Sequence, residues 1–176
     1  MSGALRSAAG VATLLSVAAT LAGCSNDEAR ALGESVEVEF HDGQSQLVGP
    51  GTVTVIDVRE GSTGELEDAG YTLDEDQRAA TAFFVDVAFT NDGDTPVAPG
   101  SPGGEDPDGN LIPALTVIEL GDGGDSFESC PGIPEEVPAG EKVEGCSILL
   151  VPKDTEMERI YFHPGGSEEF VYWATE

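Results

Sequence analysis

Three cysteines, two histidines and a comb of acids between Asp92 and Asn110 are the residues of this 176-residue chain best suited to chemistry. Asp106, Asp108 and Asn110 fall at the first, third and fifth positions of a calcium-loop register, where a hard cation collects six to eight oxygens. The register then breaks. Leu111 stands where the sixth position takes glycine, and Val117 where the twelfth takes a bidentate glutamate. A looser oxygen site that recruits Asp92, Asp94 or Glu105 is the weaker alternative to a solvated Asp-Pro-Asp-Gly turn. His41 and His163 are too few for a zinc or copper site without ligands brought from elsewhere by the fold. No Gly-x-Ser-x-Gly elbow or phosphate-cradling loop is present, and Gly121-Asp122-Gly123-Gly124-Asp125 is too acidic to welcome a phosphate. No cofactor and no enzymatic activity are expected.

Cys24 has a different context from the other two cysteines. Residues 1–23 contain one base, Arg6, and no acid, and Ala8 to Ala22 is apolar or small. That is a charged n-region followed by an apolar run of about 15 residues, shorter than the roughly 20 needed to span a bilayer. An uncleaved transmembrane anchor is therefore the weaker reading. Leu21-Ala22-Gly23-Cys24 resembles the bacterial lipobox, in which the cysteine sulfur receives a diacylglycerol before cleavage. Small side chains at Ala22 and Gly23 let extended backbone enter a peptidase cleft. Each buried methylene adds about 0.8 kcal/mol, so two or three acyl chains would anchor the chain firmly. Residues 1–23 are expected to be a lipoprotein signal peptide, and Cys24 the lipid-attachment residue on the extracytoplasmic face of the cell membrane.

With Cys24 acylated, Cys130 and Cys146 remain, an even pair in an exported chain, which reads as one disulfide. A metal pair or a redox site is disfavoured, because the spacing is long and no histidine lies near either cysteine. All 34 acids follow the signal segment and face six bases, a formal charge of −28. Such a field excludes nucleic acid as a partner and opposes close approach to anionic headgroups. Its ordinary meaning is a solvated, mutually repulsive surface. An acidic binding face for cations or basic partners is the sharper alternative.

These residues must be positioned by β structure. Ser25 to Glu34 is polar and unpatterned, and residues 24–34 read as a lipidated N-terminus and flexible tether, ten residues of which reach about 33 Å. From residue 35 the period is two. Val36, Val38 and Phe40 alternate with Glu37 and Glu39, and Thr52 to Val58 alternates again. Phe83, Val85, Val87 and Phe89 share one side of the most apolar run, followed by an Asn91-Asp92-Gly93-Asp94 turn. Leu115–Leu120, Val143–Val151, Glu158–His163 and Phe170–Ala174 complete about seven strands, which favours a β-sandwich with Greek-key connections over residues 35–176. Two long acidic connections interrupt them: Gly61 to Arg78, with a possible helical turn at Leu73 to Ala79, and Pro96 to Pro113. Both faces of Phe170–Trp173 are apolar, which reads as a strand buried between neighbours. An exposed Tyr172 or Trp173 would instead be a partner anchor.

Several motifs recur in one order. Phe84 to Asn91 is a hydrophobic strand ending in Thr-Asn, Asp106-Pro107-Asp108-Gly109 is an Asp-x-Asp-Gly turn, and Val137 to Gly145 holds a Pro-x-Gly-Glu approach to a strand continued by Leu149-Leu150-Val151-Pro152. Across roughly residues 50–165 this order resembles a family of immunoglobulin-like bacterial lipoproteins catalogued as a domain of unknown function. That family is similar in fold to the mycobacterial secreted immunoprotective extracellular proteins. The resemblance implies an all-β immunoglobulin-like sandwich of about seven antiparallel strands, export and a surface location, with no catalytic residues to transfer. The resulting expectation is a lipid-anchored, non-enzymatic binding or accessory protein of the cell envelope. It would be held to the membrane by acyl chains on Cys24 and would engage another envelope protein. The alternative is a ligand- or calcium-binding lipoprotein that uses the acidic loops around Asp92–Asn110.

Overall fold

Two four-stranded antiparallel sheets face each other, as the period-two pattern requires. The computed structural model describes residues 28–41, 46–116, 127–166 and 169–175. The signal segment 1–23, Cys24, most of the strand expected at Leu115–Leu120 and the Gly121–Asp125 loop lie outside the described residues. Sheet I runs in the order β1 (Ser35–His41), β2 (Leu47–Gly61), β3 (Thr81–Asn91), β6 (Lys142–Val151). Sheet II runs β5 (Leu111–Ile112), β4 (Gly103–Glu105), β7 (Arg159–Phe162), β8 (Val171–Ala174). Among the described residues there are eight strands: six of the seven expected, the one at Leu115–Leu120 lying mostly outside them, and β4 and β5, contributed by the Pro96–Pro113 segment read as a loop. These two strands are only three and two residues long, too short to show a period.

The core between the sheets takes the inward side of every long strand. Val36, Val38 and Phe40 of β1, Val53 and Val55 of β2, and Val85, Val87 and Phe89 of β3 meet Ile160, Phe162 and Trp173 of sheet II. Burying each such side chain is worth roughly 1.5–3 kcal/mol. Phe89 and Phe162 pack with ring centroids 5.6 Å apart across the sheets. The aromatic run at residues 170–173 divides between faces: Val171 and Trp173 enter the core, and Trp173 Nε1 donates to Glu34 O at 2.8 Å.

A second, smaller core lies on the outer side of sheet I. Ala82 and Phe84 of β3 and Cys146 and Ile148 of β6 are covered there by Leu66 and Leu73. Those two leucines come from the acidic 61–78 connection, which forms α1 (Thr63–Asp68) and α2 (Glu75–Ala79). Both helices are short and rely on their starts. Ser62 with Glu65, and Asp74 with Gln77, make reciprocal capping boxes. The disulfide Cys130–Cys146 closes the same face by tying the 127–134 segment to β6.

The domain also reaches further toward the N-terminus than the expected boundary at residue 35. Arg30 bridges Trp173 in parallel, with Arg30 N donating to Tyr172 O at 2.9 Å and Ala174 N to Arg30 O at 2.8 Å. The polar stretch read as tether through Glu34 therefore overlaps the sandwich, because its backbone covers the outer edge of β8.

Candidate functional site: the open face of sheet II

The outer face of sheet I is covered on its β3–β6 side by the 62–80 excursion and the disulfide segment, and its β1–β2 side stays open around Glu37 and Glu39; the outer face of sheet II has no such excursion over it among the described residues. Strand register lays that face out in rows. Leu111, Glu105, Arg159 and Ala174 are successive partners across β5, β4, β7 and β8, and Gly103, Tyr161 and Tyr172 form the next row. Phe170 and His163 follow beyond them, with rings 4.8 Å apart.

Glu105 and Arg159 are the polar centre. Arg159 donates to one carboxylate oxygen through Nη2 at 2.6 Å and Nε at 3.0 Å, and the Glu105 side chain is only 7% exposed. The guanidinium lies over the Tyr172 ring, 3.8 Å from its centroid. Burial works to lower the Arg159 pKa, but the hydrogen bond and charge of Glu105 outweigh it and hold the group above its ordinary value. Tyr161 lies across Gly103, where a methyl group would sit 2.5 Å from the ring carbon Cζ. Burial, aided by the Glu105 charge, raises the Tyr161 pKa above 10.0, so the phenol stays protonated and able to donate. Phe170 stacks edge-on against Tyr161 at 5.3 Å and leans on Tyr172 at 6.2 Å.

Arg159, Tyr161 and Phe170 are half-buried over a buried Tyr172, and Tyr, Phe and Arg are the residue types enriched at the centre of protein interfaces. They stand here on a sheet of a strongly acidic molecule. The face offers apolar area, a neutral phenol and a neutralised guanidinium.

Comparison with solved structures places the fold. The chain resembles MPT63, a secreted protein from Mycobacterium tuberculosis, with a TM-score of 0.54 over 84% of this chain and 96% of that one, at 15% sequence identity. That likeness is one of fold, an immunoglobulin-like β-sandwich. By sequence, no family model and no curated protein matches the chain.

The residues singled out for chemistry sit as follows. Cys24 lies outside the described residues. Cys130 and Cys146 are joined in a disulfide. Asp106 folds into its own turn, where Oδ1 accepts from Asp108 N at 2.9 Å and Asn110 N at 2.8 Å, and Oδ2 accepts from Asn110 Nδ2 at 2.8 Å. Those donors, led by the Asn110 side chain, lower the Asp106 pKa. Glu105, a candidate to join Asp106 in an oxygen site, is committed to Arg159 instead. Asp92 accepts from Thr52 Oγ1 at 3.4 Å, and Asp94 is exposed. Among the described residues, no group of three or more His, Cys, Asp or Glu side chains is arranged to hold a metal ion. His41 Nδ1 pairs with Glu39 O at 2.9 Å, and His163 Nδ1 accepts from Gly165 N at 3.1 Å. No described helix is long and apolar enough to cross a membrane.

Sequence reasoning on the aromatic strand finds Tyr172 but misses Glu105, Arg159 and Tyr161. The alternation Arg159-Ile160-Tyr161-Phe162 already puts Arg159 and Tyr161 on one side. What it lacks is Glu105, which only the short strand β4 brings alongside.

Proposed function

We propose that this chain is a lipid-anchored binding protein of the cell envelope, non-enzymatic, which engages another envelope protein through the open face of sheet II. The observation that carries the reading is the Tyr161–Phe170 aromatic pair beside the Arg159–Glu105 pair, half-exposed over a buried Tyr172 on a face that no helical excursion covers among the described residues. The disulfide supports an oxidising, extracytoplasmic location. So does the likeness in fold to a protein described as secreted. The lipobox at Leu21–Cys24 supports anchorage.

The anchor and the face are tested separately. Cells expressing the full-length protein and fed an alkyne fatty acid should yield labelled protein in the membrane fraction, and Cys24→Ser should be neither labelled nor sedimented with membranes. Acylation of Cys24→Ser would refute the anchor. For the face, Tyr161→Ala with Phe170→Ala should abolish recovery of a cross-linked envelope partner while leaving acylation intact. Undiminished recovery from the folded double variant would refute the face.

A further inference from the structure

Most sheet edges of this sandwich are covered or too short to template another strand. The edge of β6 is met by Ala114, which bridges Leu149, by Leu115 N donating to Ile148 O at 2.7 Å, and by Gly132 O, which accepts from Cys146 N at 3.1 Å. Arg30 covers β8, and β5 is two residues long. Among the described residues the exception is β1, seven residues at the rim of sheet I.

Its hydrogen-bonding parity can be read from its neighbours. Gly33 N donates to Val55 O, and Asp92 N to Pro50 O, so odd residues of β2 turn toward β1 and even ones toward β3. Through the register Val36↔Val53 and Val38↔Gly51, the backbone groups of Val36 and Val38 face β2. Those of Ser35, Glu37 and Glu39 therefore point out of the sheet. Beyond them His41 N donates to Pro164 O, which closes the edge at that end, and the His41 ring takes up Glu39 O. Ser35, Glu37 and Glu39 are all exposed.

The charge beside this edge is uniform. Glu37 and Glu39 project on the outer side of sheet I, where with Val38, Pro50, Gly51 and Asp92 they line an open depression. An antiparallel pairing of two β1 strands centred on Val38 would set Glu37 of each copy against Glu39 of the other. Like charges directly opposite are destabilising, so the edge selects against its own copy. A strand carrying cations at alternate positions would meet the same carboxylates favourably.

We propose that the β1 edge is a second binding site, which takes an extended basic segment of another protein as a fifth strand of sheet I. Its backbone pairs with Ser35, Glu37 and Glu39, and its alternate Lys or Arg side chains lie against Glu37, Glu39 and Asp92. This is strand addition, in which main-chain bonds give affinity and side chains select. It is separate from the open face of sheet II.

The test titrates purified full-length protein with a capped six-residue peptide alternating Lys and Val, and with a second peptide of the same sequence and charge whose Lys backbone nitrogens are methylated. The Lys residues lie opposite Glu37 and Glu39, so theirs are the N–H groups that face β1, and the methylated peptide retains the attraction and loses the pairing. The account expects the unmethylated peptide to bind at least tenfold more tightly than the methylated one, with slowed exchange of the Glu37 and Glu39 amides. Glu37→Pro removes one outward N–H and should weaken Lys/Val binding about tenfold with β1 still paired to β2. Should that variant unfold, Glu37→Lys with Glu39→Lys carries the test, and its affinity should fall by more than tenfold. Equal affinity for the two peptides would overturn the proposal, because it would reduce the site to diffuse charge attraction. Absence of binding would also overturn it and leave the glutamates as guards against aggregation.

Discussion

The side-chain amide of Asn91 donates to the carbonyl oxygen of Val137 at 2.9 Å, across 46 residues of chain. The same nitrogen donates to Thr95 O at 2.8 Å, and Oδ1 accepts from Gly93 N at 2.9 Å. Asn91 is fully buried, and its neighbour Val137 pairs with Val97 in an isolated bridge. One side chain thus holds the end of β3, the turn after it and the approach to β6 together. Replacing it by alanine removes three hydrogen bonds, with Thr95 O, Gly93 N and Val137 O, the last of which keeps Val97 N at 3.1 Å, and each such bond is worth about 0.5–1.5 kcal/mol. Asn91→Ala should lose roughly 3 kcal/mol, read as a Tm lower by about 6–12 °C. An unchanged Tm would show that water substitutes freely.

Reduction of Cys130–Cys146 should cost about 3 kcal/mol, given the 16-residue separation of the pair. The effect should be local before it is global. The 127–134 segment covers Phe84, with Phe127 stacked on that ring at 5.3 Å. Hydrogen exchange in dithiothreitol should quicken over residues 127–134 and α1 ahead of β2 and β3. Uniform quickening would contradict a separate outer core.

Arg159→Ala strips the partner from a carboxylate that is nearly buried. Breaking such a pair from one side costs about 3–5 kcal/mol when both groups are buried, and less here because Arg159 is 25% exposed. A loss of about 2–3 kcal/mol is expected, and Glu105→Gln in the same chain should recover part of it, since an amide needs no counter-charge. The chemical denaturation midpoints of the single and double variants measure this directly. Failure of Glu105→Gln to recover any stability would show that the guanidinium acts by packing on Tyr172 alone.

Acid should act on the Asp106 turn. The hydrogen bonds from Asn110 and its neighbours lower the folded-state pKa below the ordinary 3.8, so the unfolded chain takes up the proton first. The stability this gives is fully present above pH 3.8 and is lost as pH falls through the lower folded value. Asp106→Asn, which still accepts through its amide oxygen, should show a flatter loss of stability below pH 3.8 than the parent protein. Equal slopes would place the acid sensitivity elsewhere.

The long strands are legible in the sequence because their periods are. Val36-x-Val38-x-Phe40 and Phe83-x-Val85-x-Val87-x-Phe89 name their own inward faces, and the structure buries all of them but Phe83, which is partly buried. The pairing of Cys130 with Cys146 is legible by arithmetic. What is hidden depends on tertiary partners. β4 is Gly-Gly-Glu, without any apolar pattern, and it is a strand because β5 and β7 flank it. The capping pairs Ser62/Glu65 and Asp74/Gln77 are visible as sequence, yet only the docking of Leu66 and Leu73 onto Phe84 makes such short helices worth forming. The candidate face is hidden for the same reason, since no local pattern tells which side of a sheet the rest of the chain will leave open.

The most direct test of the central claim is photo-crosslinking in intact cells. The full-length protein would carry a photoactivatable residue either at Tyr161, on the open face, or at Glu144, exposed on β6. The account predicts one discrete adduct with an envelope protein from position 161 and none from position 144. Adducts of equal yield from both positions, or from neither, would contradict it.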